Sequence, residues 1–149
     1  MAELLDLEPG QTVLEVGTGS GYHAAVTAEL VGAENVYSIE RRSDLAERAR
    51  ENLARAGYSD VTVVTGDGTR GLPKHAPYDR ICVTAAGSDV PEPLVDQLKD
   101  GGRMVVPIGT DRQTLYLLEK RDDAVSKTPH SAVRFVPLIG EHGLECDEA

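Results

Sequence analysis

Three glycines at alternate positions, Gly17, Gly19 and Gly21, interrupt the chain directly after an apolar run, Val13-Leu14-Glu15-Val16. Glycine enters left-handed backbone without steric penalty and lets a ligand come close to the main chain. Thr18, Ser20 and Tyr22 fill the gaps and lead into a helix-like segment. The first amides of such a helix lack internal partners and favour oxygen-rich or anionic groups. The pattern predicts a turn that binds a nucleotide-type cofactor. Glu40 ends a second apolar run, where a carboxylate can accept hydrogen bonds from both hydroxyls of a ribose. Asp67 stands between Gly66 and Gly68, placed to meet the edge of an adenine, with Gly68 allowing close approach. Thr84 and Ala85 end a further apolar run in small residues.

Two features bear on which cofactor. Glu40 alone does not discriminate, because dinucleotide-binding domains use the same device. The spacing Gly17-x-Gly19-x-Gly21 differs from the G-x-G-x-x-G that brings a pyrophosphate onto the helix. Glu15, just before the turn, would repel a pyrophosphate and suits an ammonium or sulfonium charge. Together these favour S-adenosyl-L-methionine, with S-adenosyl-L-homocysteine as product. The four histidines, at 23, 75, 130 and 142, show no ligand spacing, so no metal is expected. No serine, cysteine or histidine pattern marks a catalytic residue. Cys82 lies in an apolar run without a histidine beside it in sequence and reads as a small core residue; Cys146 lies in an acidic tail.

The elements that must hold these residues alternate. Residues 12–16 predict a first strand, 20–31 a helix with Ala24, Ala25, Ala28 and Val31 on its packing face, and 35–40 a second strand. A helix follows over 43–56, with Ser43 as N-cap and Leu45, Ala49, Leu53 and Ala56 as its buried stripe. Strands are expected at 61–65, 79–86 and 103–108, with a short proline-led helix at 91–99 between the last two. Residues 115–120 and 132–138 read as an antiparallel pair joined across a polar loop, 121–129. The fold class is therefore α/β: a doubly wound, mostly parallel Rossmann-like sheet with antiparallel strands at its C-terminal end. In such sheets ligands bind at the carboxyl ends of the strands. Gly17, Glu40, Asp67 and Thr84 all fall on that rim.

The whole chain, 1–149, reads as one domain with a mobile tail from residue 141. Its net charge of -10 opposes binding to phosphate backbones, so no nucleic-acid partner is expected. No apolar run reaches spanning length, which argues against a membrane partner. Two cysteines do not make a disulfide framework, and a reducing, cytoplasmic location fits best.

The run from Val13 to Tyr22, with Ala24 and Ala25 after it, closely resembles the protein-L-isoaspartate (D-aspartate) O-methyltransferases. So do Gly66-Asp67-Gly68, Tyr78-Asp79-Arg80-Ile81 leading to Thr84-Ala85-Ala86, Gln97-Leu98-Lys99 with Gly101-Gly102-Arg103, Pro107-x-Gly109, and Arg134-Phe135-Val136-Pro137-Leu138. The resemblance implies methyl transfer from S-adenosyl-L-methionine to the free carboxylate of isoaspartyl residues in damaged proteins, a step in their repair. It implies that residues 17–22 hold the methionine portion, Glu40 the ribose, and Asp67 and Gly68 the adenosine side. Thr84 to Ala86 would border the cofactor cleft, and Val136, Pro137, Leu138 and Ile139 would lie near the entering peptide. Family members carry a further N-terminal segment that lines the substrate site and supplies a catalytic serine. This chain starts after it, and neither Ser20 nor Ser88 stands in the matching motif position. Other readings stay open here: a different S-adenosylmethionine-dependent methyltransferase, a non-catalytic cofactor-binding fragment, or a nicotinamide-dependent oxidoreductase.

Overall fold

Val13-Leu14-Glu15-Val16 is buried at every position, as suits its place as β1, an interior strand of a seven-stranded sheet. The computed structural model describes residues 2–144; Cys146 and the rest of the expected tail, 145–149, lie outside the described residues. β1 (Val13–Val16) pairs in parallel with β2 (Val36–Glu40) on one side and β4 (Tyr78–Val83) on the other. β3 (Thr62–Thr65) lies beyond β2, and β5 (Leu98–Gly109) beyond β4, both also parallel. β6 (Gln113–Arg121) and β7 (Ala124–Val133) finish the sheet as antiparallel neighbours, giving the order β3-β2-β1-β4-β5-β6-β7. This is the mixed, mostly parallel α/β sheet that the alternating pattern predicts.

Side chains alternate across each strand and so divide the core in two. Leu14, Val16, Ile39, Ile81, Val83, Met104 and Val106 face one side, where Leu94 of the short helix α4 (Glu92–Gln97) covers them. Val13, Val36 and Val63 face the other, against Ala24, Ala28 and Val31 of α2 (Tyr22–Val31) and Ala46 and Leu53 of α3 (Ser43–Arg55). A short N-terminal helix, α1 (Ala2–Leu5), places Leu5 on that second side beside Cys82, Val105, Leu115 and Leu117.

Three local expectations are corrected. Ser43 is the first helical residue of α3 rather than its cap; Arg42, in extended backbone, occupies the cap. The buried stripe is Ala46, Ala49 and Leu53, so Ala46 takes the core place expected of Leu45, and Ala56 stays exposed. The last strand begins at Ala124, not at residue 132. Asp122 and Asp123 both take positive φ (52° and 64°), and this tight reversal replaces the expected polar loop. β7 is an exposed edge, so it carries no apolar alternation to read. Finally, Glu141 and His142 are bonded to residues 67 and 69, so the expected free tail is tied down at its start.

Candidate functional site

After Val16 the chain must leave the sheet at its carboxyl edge and turn back into α2. Gly17, Gly19 and Gly21 achieve this with φ of 98°, 56° and 92°. At Gly17 a side chain is excluded twice, because a Cβ there would also overlap the Thr84 hydroxyl. That hydroxyl donates to the Gly17 carbonyl at 2.7 Å, tying the end of β4 to the turn. The Gly17 amide in turn donates to the Ile39 carbonyl of β2 at 2.9 Å. The turn is therefore held from both neighbouring strands.

Beside it opens a cleft of about 450 Å³. Val16, Gly17 and Gly19 border it on the turn; Ile39, Glu40, Arg41, Arg42 and Leu45 border it at the β2–α3 junction. Gly68, Thr84 and Ala85 border it from the ends of β3 and β4, and Val136, Pro137, Leu138 and Ile139 form a further wall. That wall is seated by backbone bonds at 2.8 Å, from the Ala86 amide to Val136 and from the Leu138 amide to Ala86. The size and the mostly apolar lining with few polar groups suit a small organic ligand.

Glu40 is 7% exposed, yet its carboxylate edges the cleft. One oxygen accepts from the Gly19 amide at 3.0 Å and the other from the Arg42 amide at 3.2 Å. Each carboxylate oxygen has a second lone pair, so the group can still accept from a diol. Gly68 must be small, since a Cβ would come within 2.5 Å of the Val16 side chain. Glu40 is thus left able to accept from a diol, beside the apolar surface of Ile39 and Leu45 and the bare backbone of Gly68.

Other expected residues are placed elsewhere. Glu15 points to the opposite face of β1 from Leu14 and Val16. It accepts from the Ser38 hydroxyl at 2.5 Å and pairs with His23 Nδ1 at 3.0 Å, so it offers no charge to the cleft. Thr18 is buried against Ser38, with its hydroxyl 2.6 Å from the serine's. Gly21 backs onto Ala49 and Leu53 of α3. Ser20 is exposed and takes the Tyr22 amide at 3.4 Å, and the Tyr22 side chain is 78% exposed on the outer surface of α2. None of these lines the cleft. Asp67 does not line it either. One of its oxygens accepts from the Thr69 amide (2.9 Å) and hydroxyl (2.6 Å), and the other from the Glu141 amide at 2.9 Å. Burial pulls the Asp67 carboxyl upward, but the Glu141 amide and Thr69 outweigh it and hold the group below its ordinary value.

The pairing of Cys82 was not legible from sequence. His23 Nε2 lies 4.0 Å from its sulfur while Nδ1 meets Glu15. Contact with the sulfur, and then the bond to Glu15, raise the imidazole from 6.5 to about 10 against the opposing effect of burial. Leu45, Arg41 and Arg42 were also missed at the cleft; adjacency to Glu40 was the one available signal. Among the described residues no group of three or more His, Cys, Asp or Glu could hold a metal ion, and no helix is long and apolar enough to cross a membrane.

Residues 1–143 match the family described as Protein-L-isoaspartate(D-aspartate) O-methyltransferase. The chain belongs to this family. A protein-L-isoaspartate O-methyltransferase of Hyperthermus butylicus is 57% identical over the whole chain, which spans 66% of that relative's length. A solved structure of the same name superposes with a TM-score of 0.87 at 40% identity, over 95% of this chain and 46% of that one. A Plasmodium falciparum structure described under the same enzyme name, in complex with S-adenosyl-L-homocysteine, superposes at 0.83 with 29% identity, over 93% of this chain and 70% of that one. The likeness thus runs through the turn, the sheet and the 136–139 wall, while the curated relative is about half as long again.

Proposed function

We propose that this chain binds S-adenosyl-L-methionine in the cleft and transfers its methyl group to the free carboxylate of an isoaspartyl residue in a protein or peptide. The observation that carries the reading is the coincidence, on one rim, of the Gly17–Gly19 turn, the ribose-competent Glu40 and the 136–139 wall, in a chain of this family. When bound, the cofactor supplies a methyl group on a sulfonium, and its loss leaves S-adenosyl-L-homocysteine. Glu40 holds the ribose, and Ile39, Leu45 and Gly68 receive the ring. Thr84, Ala85 and the 136–139 wall border the space into which the carboxylate enters.

The chemistry asks little more of the chain. An α-carboxylate, with a pKa of about 4, is already ionised at neutral pH, so no base has to remove a proton. Positioning the oxygen in line and stripping its water are the tasks left to the protein. The Val136–Ile139 wall serves these tasks by apolar contact, in a cleft whose titratable lining, among the described residues, is Glu40, Arg41 and Arg42.

The test is transfer of labelled methyl from S-adenosyl-L-methionine to a short isoaspartyl peptide beside its normal-aspartyl twin. Base-labile label on the isoaspartyl peptide alone is expected. Equal label on both would refute the substrate assignment. Binding of S-adenosyl-L-homocysteine without any transfer would leave a cofactor-binding unit that needs further chain to act.

A further inference from the structure

A polar row lies under the glycine turn, on the face of the sheet turned toward α2. Ser38, Glu15 and Cys82 are cross-strand neighbours on β2, β1 and β4. Their exposures are 0%, 2% and 1%. A carboxylate buried this deeply in an apolar layer demands both hydrogen bonds and a counter-charge. Ser38 donates to one oxygen at 2.5 Å, and His23, from the first turn of α2, meets the other at 3.0 Å. Because the Ser38 proton is committed to Glu15, the Thr18 hydroxyl is the donor in its 2.6 Å contact with Ser38. The donation therefore runs without a gap from Thr18 to Ser38 to Glu15, and from His23 to Glu15. Thr18 is the residue between Gly17 and Gly19, both of which border the cleft.

We propose that His23 is a positioning residue that orders the cofactor turn from below, acting through Glu15, Ser38 and Thr18. The inference rests on the reading of the cleft as the S-adenosylmethionine site. His23 does not border the cleft, and Cys82 is buried away from it, so the cluster contributes no nucleophile. Its effect is geometric. With Glu15 neutralised by His23, Ser38 keeps one orientation, Thr18 keeps one rotamer, and Gly17 and Gly19 keep the dihedrals that leave the cleft open. Without His23, Glu15 would draw in water or a different donor, and the row would rearrange around it.

The test uses the full chain as wild type, His23→Leu, Ser38→Ala and the double variant. Two quantities are read: the Kd for S-adenosyl-L-homocysteine by calorimetry, and the amide NMR signals of Thr18 and Gly19 without ligand. Each single change is expected to raise Kd about tenfold and to move both amides. The double variant is expected to bind no more weakly than the weaker single, because both cuts interrupt one chain. In methyl transfer, KM for the cofactor should rise while kcat stays within about twofold, as for an interaction kept from ground state to transition state. Additive losses, or a folded His23→Leu with wild-type Kd and unmoved amides, would overturn the proposal. If His23→Leu does not fold, Ser38→Ala decides: unmoved amides refute it. Wild type that binds no S-adenosyl-L-homocysteine would instead refute the reading of the cleft, and the ligand-free amides would still judge His23.

Discussion

The cleft has two walls built on different physics. The glycine turn is held by a backbone bond to β2 and by the Thr84 hydroxyl at the end of β4, and it rests on a buried polar row in which every member is engaged. The opposite wall, 136–139, is seated on Ala86 and tethered beyond by Asp67, which is only partly buried; Val136 is 69% exposed. Local opening costs little where bonds are solvated and much where they are buried. The turn is therefore the stiffer of the two walls, and 136–139 the one that opens more readily.

The largest effect expected is from Gly17→Ala. The residue would carry φ near 98° and a methyl group overlapping the Thr84 hydroxyl. Strain and overpacking together should cost roughly 2–4 kcal/mol of stability. The affinity for S-adenosyl-L-homocysteine should fall by about tenfold or more. Urea unfolding and calorimetry read the two effects. An unchanged midpoint would mean that the turn yields as easily as the opposite wall, and the contrast would vanish.

Asp67→Ala tests the other wall. It removes an acceptor for the Thr69 amide and hydroxyl and for the Glu141 amide. The Glu141 bond is exposed, but Thr69 is buried and would lose its acceptor, so the global cost should be about 1–3 kcal/mol. Hydrogen exchange at the amides of Glu141 and His142 should speed by about tenfold, with the Gly17 amide unchanged. Equal acceleration at both walls would show that they open as one unit.

The contrast also explains what sequence could reveal. The rim was legible because the strand ends are announced by residue type: Gly17, Glu40, Gly68 and Thr84 follow apolar runs and all edge the cleft. The doubly wound order was legible for the same reason, since a buried strand is an apolar run and its exit a small residue. What was not legible depends on which face a side chain takes. Glu15 sits one residue from Val16, and a period of two sends it to the far side of the sheet, where His23 is its counter-ion. Asp67 is expected at the adenine edge, yet one oxygen is taken by Thr69, two residues on, and the other by Glu141, far along the chain. The start of β7 was hidden because a doubly exposed edge strand has no apolar pattern, and Asp122 and Asp123 give only a weak turn signal.

The subtlest consequence is that the two walls should weaken at opposite ends of the pH scale. The groups in contact with His23 are Glu15 from β1 and Cys82 from β4, and together they raise the imidazole from 6.5 to about 10. A raised base contributes its full stabilisation below the unfolded value and loses it as pH climbs through the folded one. Support under the turn is therefore complete below about pH 6.5 and fades toward pH 10. Asp67 is lowered from 3.8, so the tether on the other wall is complete above that value and fails only as pH falls through the lowered one. Protection of the Gly17 amide, which is bonded to the Ile39 carbonyl, should accordingly fall at alkaline pH, and protection of the Glu141 amide at acid pH. His23→Leu should abolish the first and leave the second. If instead both amides lost protection together at one end of the range, the walls would share a single support, and the independence argued from Glu15 and Asp67 would be wrong.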